Sequence, residues 1–158
     1  MQEVYLTRAG ADKLRKELDY LKTTRRRELS KEIGAAREHG DLRENAEYDA
    51  AKEAQALNET RIGELERKLS NVHIIEDMDL PDDRAYIGAT VTVRDLDTDE
   101  ESEYTLLSVE EADPDRNIIS YTSPIGKGLL GHEIGDQVAI ETPKRVFVFD
   151  VVDIRRDI

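Results

Sequence analysis

Apolar residues in the first half of the chain recur at steps of three and four. They stand at Leu14, Leu18, Leu21, Leu29, Ile33 and Ala36, which is one face of a helix. Thr7 is placed as an N-cap in front of Arg8, and no proline occurs before Pro81, so the spacing predicts one helix over about 8–38. Arg25 and Glu28 fall where the stripe should continue, leaving the seam imperfect in the middle. A second helix is predicted over about 44–72, from Tyr48, Ala51, Gln55, Asn58, Ile62, Leu65, Leu69 and Val72. Each helix would be roughly 45 Å long at about 1.5 Å per residue. A connection of a few residues makes them antiparallel neighbours, an αα-hairpin spanning 1–75 with an acidic tip at 40–45. The charge-rich outer faces leave too little apolar surface for packing on two sides, which favours a projecting hairpin over a globular bundle.

The pattern changes after residue 75. The stretch 76–85 is acidic, contains Pro81 and has no periodicity, so it reads as a linker. Alternating segments follow at Ile87–Arg94, Tyr104–Val109, Asn117–Tyr121, Gln137–Glu141 and Val146–Val152, with a polar turn at Asp97–Glu101. Ser123-Pro124-Ile125-Gly126-Lys127-Gly128-Leu129-Leu130-Gly131 predicts a short helix between the third and fourth strands. Residues 86–158 are therefore expected to form a small antiparallel α+β domain.

Charge matters once it is located. The net charge of −13 lies wholly in the second half: residues 1–75 carry 15 basic and 15 acidic side chains, residues 76–158 carry 8 and 21. Such a domain is a poor match for phosphate and a better one for a basic protein surface. Cysteine is absent, which excludes disulfides, thiolate metal sites and a thiol nucleophile. There is no signal-peptide pattern and no apolar run near the ~20 residues of a membrane span, so a cytoplasmic protein is expected.

Candidate chemistry concentrates where the two helices join. Asp41 and Glu44 have the spacing of a capping box, which starts a helix without any chemistry. The reading is compatible with a second one, because each carboxylate can keep an oxygen for a hard cation. Two such ligands do not complete an octahedral Mg²⁺ site, so the rest would come from waters and another molecule. Arg37, Arg43 and Lys52 surround the tip, with His39 nearby, and Arg37 and Lys52 are the better placed for phosphate. Tyr48 either stacks on a base or closes the seam. Arg25-Arg26-Arg27 cannot all face one groove, since adjacent helix positions point about 100° apart. His73 and His132 have no metal-ligand companions, Gly126-Lys127-Gly128 lacks P-loop spacing, and nothing assembles a complete active site.

Gly40-Asp41-Leu42-Arg43-Glu44-Asn45-Ala46-Glu47-Tyr48 with Ala50-Ala51-Lys52-Glu53 resembles the signature of the bacterial Gre transcript-cleavage factors. Ser123 to Gly131 resembles that family's second signature, and Thr7, Gly10 and Leu14 also fit, so the similarity covers essentially the whole chain. The resemblance implies a monomer whose coiled coil enters the secondary channel of RNA polymerase. It implies an FKBP-like C-terminal domain docked on the polymerase's coiled-coil rim, with Ser123, Pro124 and Ile125 in the docking segment. Asp41 and Glu44 would then share a Mg²⁺ with the polymerase and act in trans on the 3′ end of backtracked nascent RNA. Arg37, Arg43, Tyr48 and Lys52 would line the tip. No cofactor is implied for the isolated chain, and the chain itself is not an enzyme. Thr122 departs from the acidic or amide residue that some relatives carry before the Ser-Pro pair.

Two other functions compete. One is a non-cleaving, inhibitory or structural channel-binding protein; retention of both tip carboxylates argues for the cleaving form. The other is a prolyl isomerase, which needs an aromatic-lined pocket, whereas this domain has no tryptophan and its two phenylalanines alternate on one strand.

Overall fold

The computed structural model describes residues 3–39 and 45–157. It separates into two compact units: Ala11–Val72 with Met1–Glu3, and Val4–Gly10 with His73–Ile158. The fold is α+β, a helical hairpin followed by a mixed sheet with one short helix.

In the first unit the ascending strand of the hairpin is not one α-helix. Helix α1 (Arg8–Tyr20) passes into a π-helical turn, Leu21–Arg25, and then into α2 (Arg26–His39). The π turn accounts for the break in the apolar stripe. An uninterrupted α-helix would rotate Leu29 about 80° away from Leu21. One π turn of roughly 4.4 residues plus one α turn of roughly 3.6 spans about eight residues, which returns Leu29 to the face of Leu21. Leu29 is fully buried, and Arg25 is left to pair with Glu28 at 3.2 Å on the outside.

Helix α3 (Asn45–Ser70) returns along this seam and buries Ala51, Asn58, Ile62 and Leu65. Each fully buried Leu or Ile contributes about 1.5–3 kcal/mol. Ion pairs flank the seam: Arg61 with Glu17 at 2.9 Å, and a two-pronged contact of Arg26 with Glu59 at 2.7 and 2.9 Å. These side chains are partly exposed, so each pair adds little to stability.

The second unit corrects the expectations in three places. First, α3 stops at Ser70, and Val72 belongs to a strand, β2 (Val72–Ile74), paired with β1 (Val4–Leu6). A single β-branched residue at a seam position does not distinguish the two. Second, the stretch read as a linker, 76–85, is mostly exposed yet anchored at points along it: Ala85 is buried, its N–H donates to the His132 carbonyl at 2.8 Å, and the Pro81 carbonyl accepts from Arg156. Third, the sheet is not wholly antiparallel. Its strands are β3 (Thr90–Asp95), β4 (Glu101–Leu107), β5 (Ile118–Ser120), β6 (Gln137–Glu141) and β7 (Val146–Arg155). They lie in the order β5-β4-β3-β7-β6, and β4 pairs with β5 in parallel. Two 3-10 turns make that short crossover, ending at Asn117 in the left-handed region (φ 53°).

The core of the sheet unit gathers Val91, Val93, Leu106, Val138, Ile140, Phe149 and Val151 beneath helix α4 (Pro124–Leu129). The register places Val91 opposite both Tyr104 and Ile154, so β3 is the central strand of the layer. Thr7 caps α1 as expected, its hydroxyl accepting from Gly10 N–H at 3.0 Å. The Glu111 carboxylate accepts from the Thr7 N–H and hydroxyl, and Glu76 accepts from Arg8 N–H at 3.0 Å. A Cβ on Gly10 would crowd the end of the Glu111 side chain, which would have to shift.

Candidate functional site

Two regions carry the residues singled out from sequence. The first is the end of the hairpin, where α2 finishes and α3 begins. Gly40, Asp41, Arg43 and Glu44 lie outside the described residues, so the carboxylate pair and Arg43 are read from sequence alone. Arg37 and Tyr48 do meet across the two helices. The guanidinium carbon lies 5.7 Å from the ring centroid, and the hydroxyl contact, at 3.5 Å, is long for a hydrogen bond. The contact is therefore better described as cation–π. Arg37 holds the Tyr48 hydroxyl below its ordinary value of 10.0, with smaller help from Lys52. Tyr48 is half-buried. Lys52 is exposed and its amine donates to Gln55 at 3.3 Å, one turn along the same helix.

Behind this end, Ala35, Ala36, Ala50 and Ala51 bring α2 and α3 close, and Glu32 and Glu47 flank the resulting open cleft. Small side chains at these positions let the helices approach near the tip. Two of the three arginines are paired: Arg25 with Glu28 and Glu32, and Arg26 with Glu59; Arg27 is exposed and has no ion-pair partner among the described residues. Among the described residues no group of three or more His, Asp or Glu side chains is placed to hold a metal ion. No helix among them is long and apolar enough to cross a membrane.

The second region is the start of α4. Ser123 is its N-cap, the hydroxyl accepting from Gly126 N–H at 3.1 Å and donating to the Ser120 carbonyl at 2.6 Å. Pro124 at the first helical position has no N–H to leave unsatisfied. It is exposed, whereas Ile125 is half-buried against the core. Gly126 is required by contact, because a Cβ there would stand 2.2 Å from the Ser120 carbonyl oxygen. Gly128 is required for the same reason against Ile140, at 2.5 Å. The motif thus builds a rigid corner that presents Pro124 to solvent.

Sequence reasoning missed Ser120, whose carbonyl receives both the Ser123 hydroxyl and the Ser123 N–H. The signal was present in the N-cap spacing of Ser123 to Gly126. His132 accompanies Asp136 at 3.1 Å in a turn, and His73 stacks on Tyr5 at 5.4 Å, both away from any metal arrangement. Asp136 is held below the ordinary carboxylate value, first by the Glu133 N–H and then by His132.

Both halves of the chain fall into one class of protein, the transcription elongation factors. Residues 4–74 match the N-terminal domain of that class, and residues 80–156 match the GreA/GreB C-terminal domain. The chain is 50% identical over 153 residues to transcription elongation factor GreA of Chloroherpeton thalassium, covering 97% of each chain. It is 47% identical over 155 residues to GreA of Yersinia pestis, covering 98% of each. Among solved structures it is similar to GreA factor homolog 1 of Thermus thermophilus, with 34% identity, coverage of 98% and 99%, and a TM-score of 0.45. The chain belongs to the GreA/GreB family of transcription elongation factors.

Proposed function

We propose that this chain is a monomeric, cytoplasmic cofactor of RNA polymerase that stimulates the polymerase's own hydrolysis of backtracked RNA. The hairpin would enter the secondary channel while the Ser123-Pro124-Ile125 corner docks on the coiled-coil rim. The observation that carries the reading is the hairpin itself: two long helices, residues 8–39 with the π turn and Asn45–Ser70, whose sequence between them holds Asp41 and Glu44. Helix α3 alone has 26 residues, about 39 Å at ~1.5 Å per residue, a reach suited to a buried site.

The donor set fits Mg²⁺ in kind, since carboxylate oxygens are its preferred ligands, but two carboxylates leave most of an octahedral shell to be filled. Asp41 and Glu44 would therefore hold the ion only together with the polymerase. The chemistry a shared Mg²⁺ supplies is activation of a water and stabilisation of the leaving oxygen. The chain's own share is positional. Arg37 against Tyr48 closes the end of the seam, and the alanine contact behind it keeps the rod narrow. The acidic second half suits a basic docking partner.

The test is cleavage of a stalled, backtracked elongation complex by wild type and by Asp41→Asn with Glu44→Gln. The double variant is expected to bind polymerase and to lose stimulation. Stimulation at the wild-type rate would sink the proposal, and binding with no stimulation by wild type would favour an inhibitory factor.

A further inference from the structure

The π turn and the residue facing it form a device that the family resemblance does not mention. Asn58 is 8% exposed at a seam position of α3, and its side-chain amide donates to the Leu21 carbonyl at 3.2 Å. Leu21 opens the π turn, and the same carbonyl accepts from Arg26 N–H five residues on. In a regular α-helix a carbonyl oxygen lies beneath the next turn, poorly placed for a second donor from a neighbouring helix. The wider π turn separates the turns and admits one. A buried Asn at a seam position weakens a coiled coil relative to Leu but specifies register, because slipping leaves its amide unsatisfied. Here the acceptor is a backbone carbonyl at one point of the partner helix. The seam around it is permissive: Ala36 and Ala51 are small, and Gln55 and Tyr48 are polar enough to tolerate a slip of one turn.

We propose that Asn58 and the π turn Leu21–Arg25 are a register pin, fixing how far α3 is advanced along α2. Asn58 is thereby a positioning residue for the tip end of the hairpin. A slip of one helical turn would displace α2 against α3 by about 5.4 Å. The functional part of this inference rests on the proposed role in transcript cleavage; the structural part does not.

The absence of cysteine makes the test clean, since introduced pairs can be trapped without competing thiols. The native-register pair is Ala36→Cys with Ala51→Cys, two residues that line one cleft. The shifted-register pairs are Ala36→Cys with Gln55→Cys and Ile33→Cys with Ala51→Cys. Each pair is placed in three backgrounds: the otherwise unchanged chain, Asn58→Leu, and deletion of Thr23, which closes the π turn to an α turn while keeping both seams in phase. The unchanged chain is expected to trap the native pair alone. Asn58→Leu is expected to melt higher yet trap a shifted pair as well, and the deletion is expected to trap it with Asn58 in place. In stalled complexes both variants should lose about tenfold or more of the stimulation, as misplacement of the order of an ångström suffices for that. Trapping of the native pair alone in both backgrounds overturns the pin, whatever happens to cleavage. If Asn58→Leu fails to fold by circular dichroism, the deletion answers the same question. If the unchanged chain fails to stimulate cleavage while the trapping pattern appears as expected, the functional reading falls and the pin stands.

Discussion

Replacing Gly126 by alanine sets two physical effects against each other. Gly126 lies within α4, and helix propensity alone favours alanine by about 0.8–1 kcal/mol. The built Cβ, however, would stand 2.2 Å from the Ser120 carbonyl oxygen and 2.9 Å from Tyr121 Cα. An unstrained carbon–oxygen contact is about 3.3 Å, so something must yield by about 1 Å. Both obstacles are backbone, held by the Ser123 cap and by the Tyr121 N–H to the Leu107 carbonyl. Overpacking of this kind costs typically 1–3 kcal/mol, and a rigid backbone wall puts it at the upper end. The expected net loss is about 1–2 kcal/mol. At about 4–8 °C per kcal/mol for a domain of this size, the sheet unit should melt roughly 5–15 °C lower. Gly34 in α2 is the matched control, since nothing lies within 4 Å of its built Cβ. There alanine should stabilise the hairpin by about 1 kcal/mol, because propensity acts unopposed. Near-ultraviolet circular dichroism is weighted toward the sheet unit, which holds both phenylalanines and four of the six tyrosines, and far-ultraviolet ellipticity is weighted toward the hairpin. A Gly126→Ala protein melting at or above wild type would refute the close-contact argument.

Other outcomes follow from the same geometry. Ser123→Ala should cost about 1 kcal/mol in urea denaturation through the lost cap, whereas Pro124→Ala should leave stability within about 0.5 kcal/mol and reduce retention on immobilised polymerase. The Asp95 carboxyl is held below its ordinary value of 3.8 by the Asp97 N–H and then by Arg145. Its contribution to stability is therefore complete above that value and disappears as pH falls through the lower folded-state value. Asp95→Asn should melt lower at neutral pH and show a shallower acid decline; an unchanged acid profile would refute the assignment. Arg37→Ala should move the Tyr48 titration back up toward 10.0, read by ultraviolet absorbance as the difference between the variant and wild type.

The hairpin was legible because a heptad seam is a long signal, repeated over many residues on both helices. What the seam hid was local. Arg25 and Glu28 looked like a flaw in the stripe, and the flaw marks a π turn, which adds one residue without changing either flank. Asn58 reads in the sequence as a polar seam position, yet its partner is a backbone carbonyl, and side-chain patterns do not report those. Val72 reads as a seam position because strand and helix share its apolar preference at a boundary. The parallel pairing of β4 with β5 was invisible, since alternation sets which face a residue takes and not the direction of its neighbour. The linker's acidic character hides its anchors: Glu76 serves as an acceptor for a helix N-terminus, and Ala85 carries no pattern of its own. For Asp41 and Glu44, spacing by itself favours a helix cap, and the resemblance adds the shared cation to that reading.

The grouping of Val4–Gly10 with residues 73–158 makes the hairpin a topological insertion. The sheet unit is discontinuous in sequence, entered before the rod and re-entered after it. Thr7 and the Glu111 carboxylate that receives it are 104 positions apart. At about 5–20 residues per second of synthesis, that separation is about 5–20 s during which the first residues wait for their partners. The hairpin has only local contacts to make and can form in that interval. Completion of the sheet unit then retrieves the N-terminal segment, so trimming the chain's first few residues would be felt in its last domain. The same layout makes the rod exchangeable: a short loop joining Gly10 to His73 would excise it and leave every strand of the five-stranded sheet in one continuous piece.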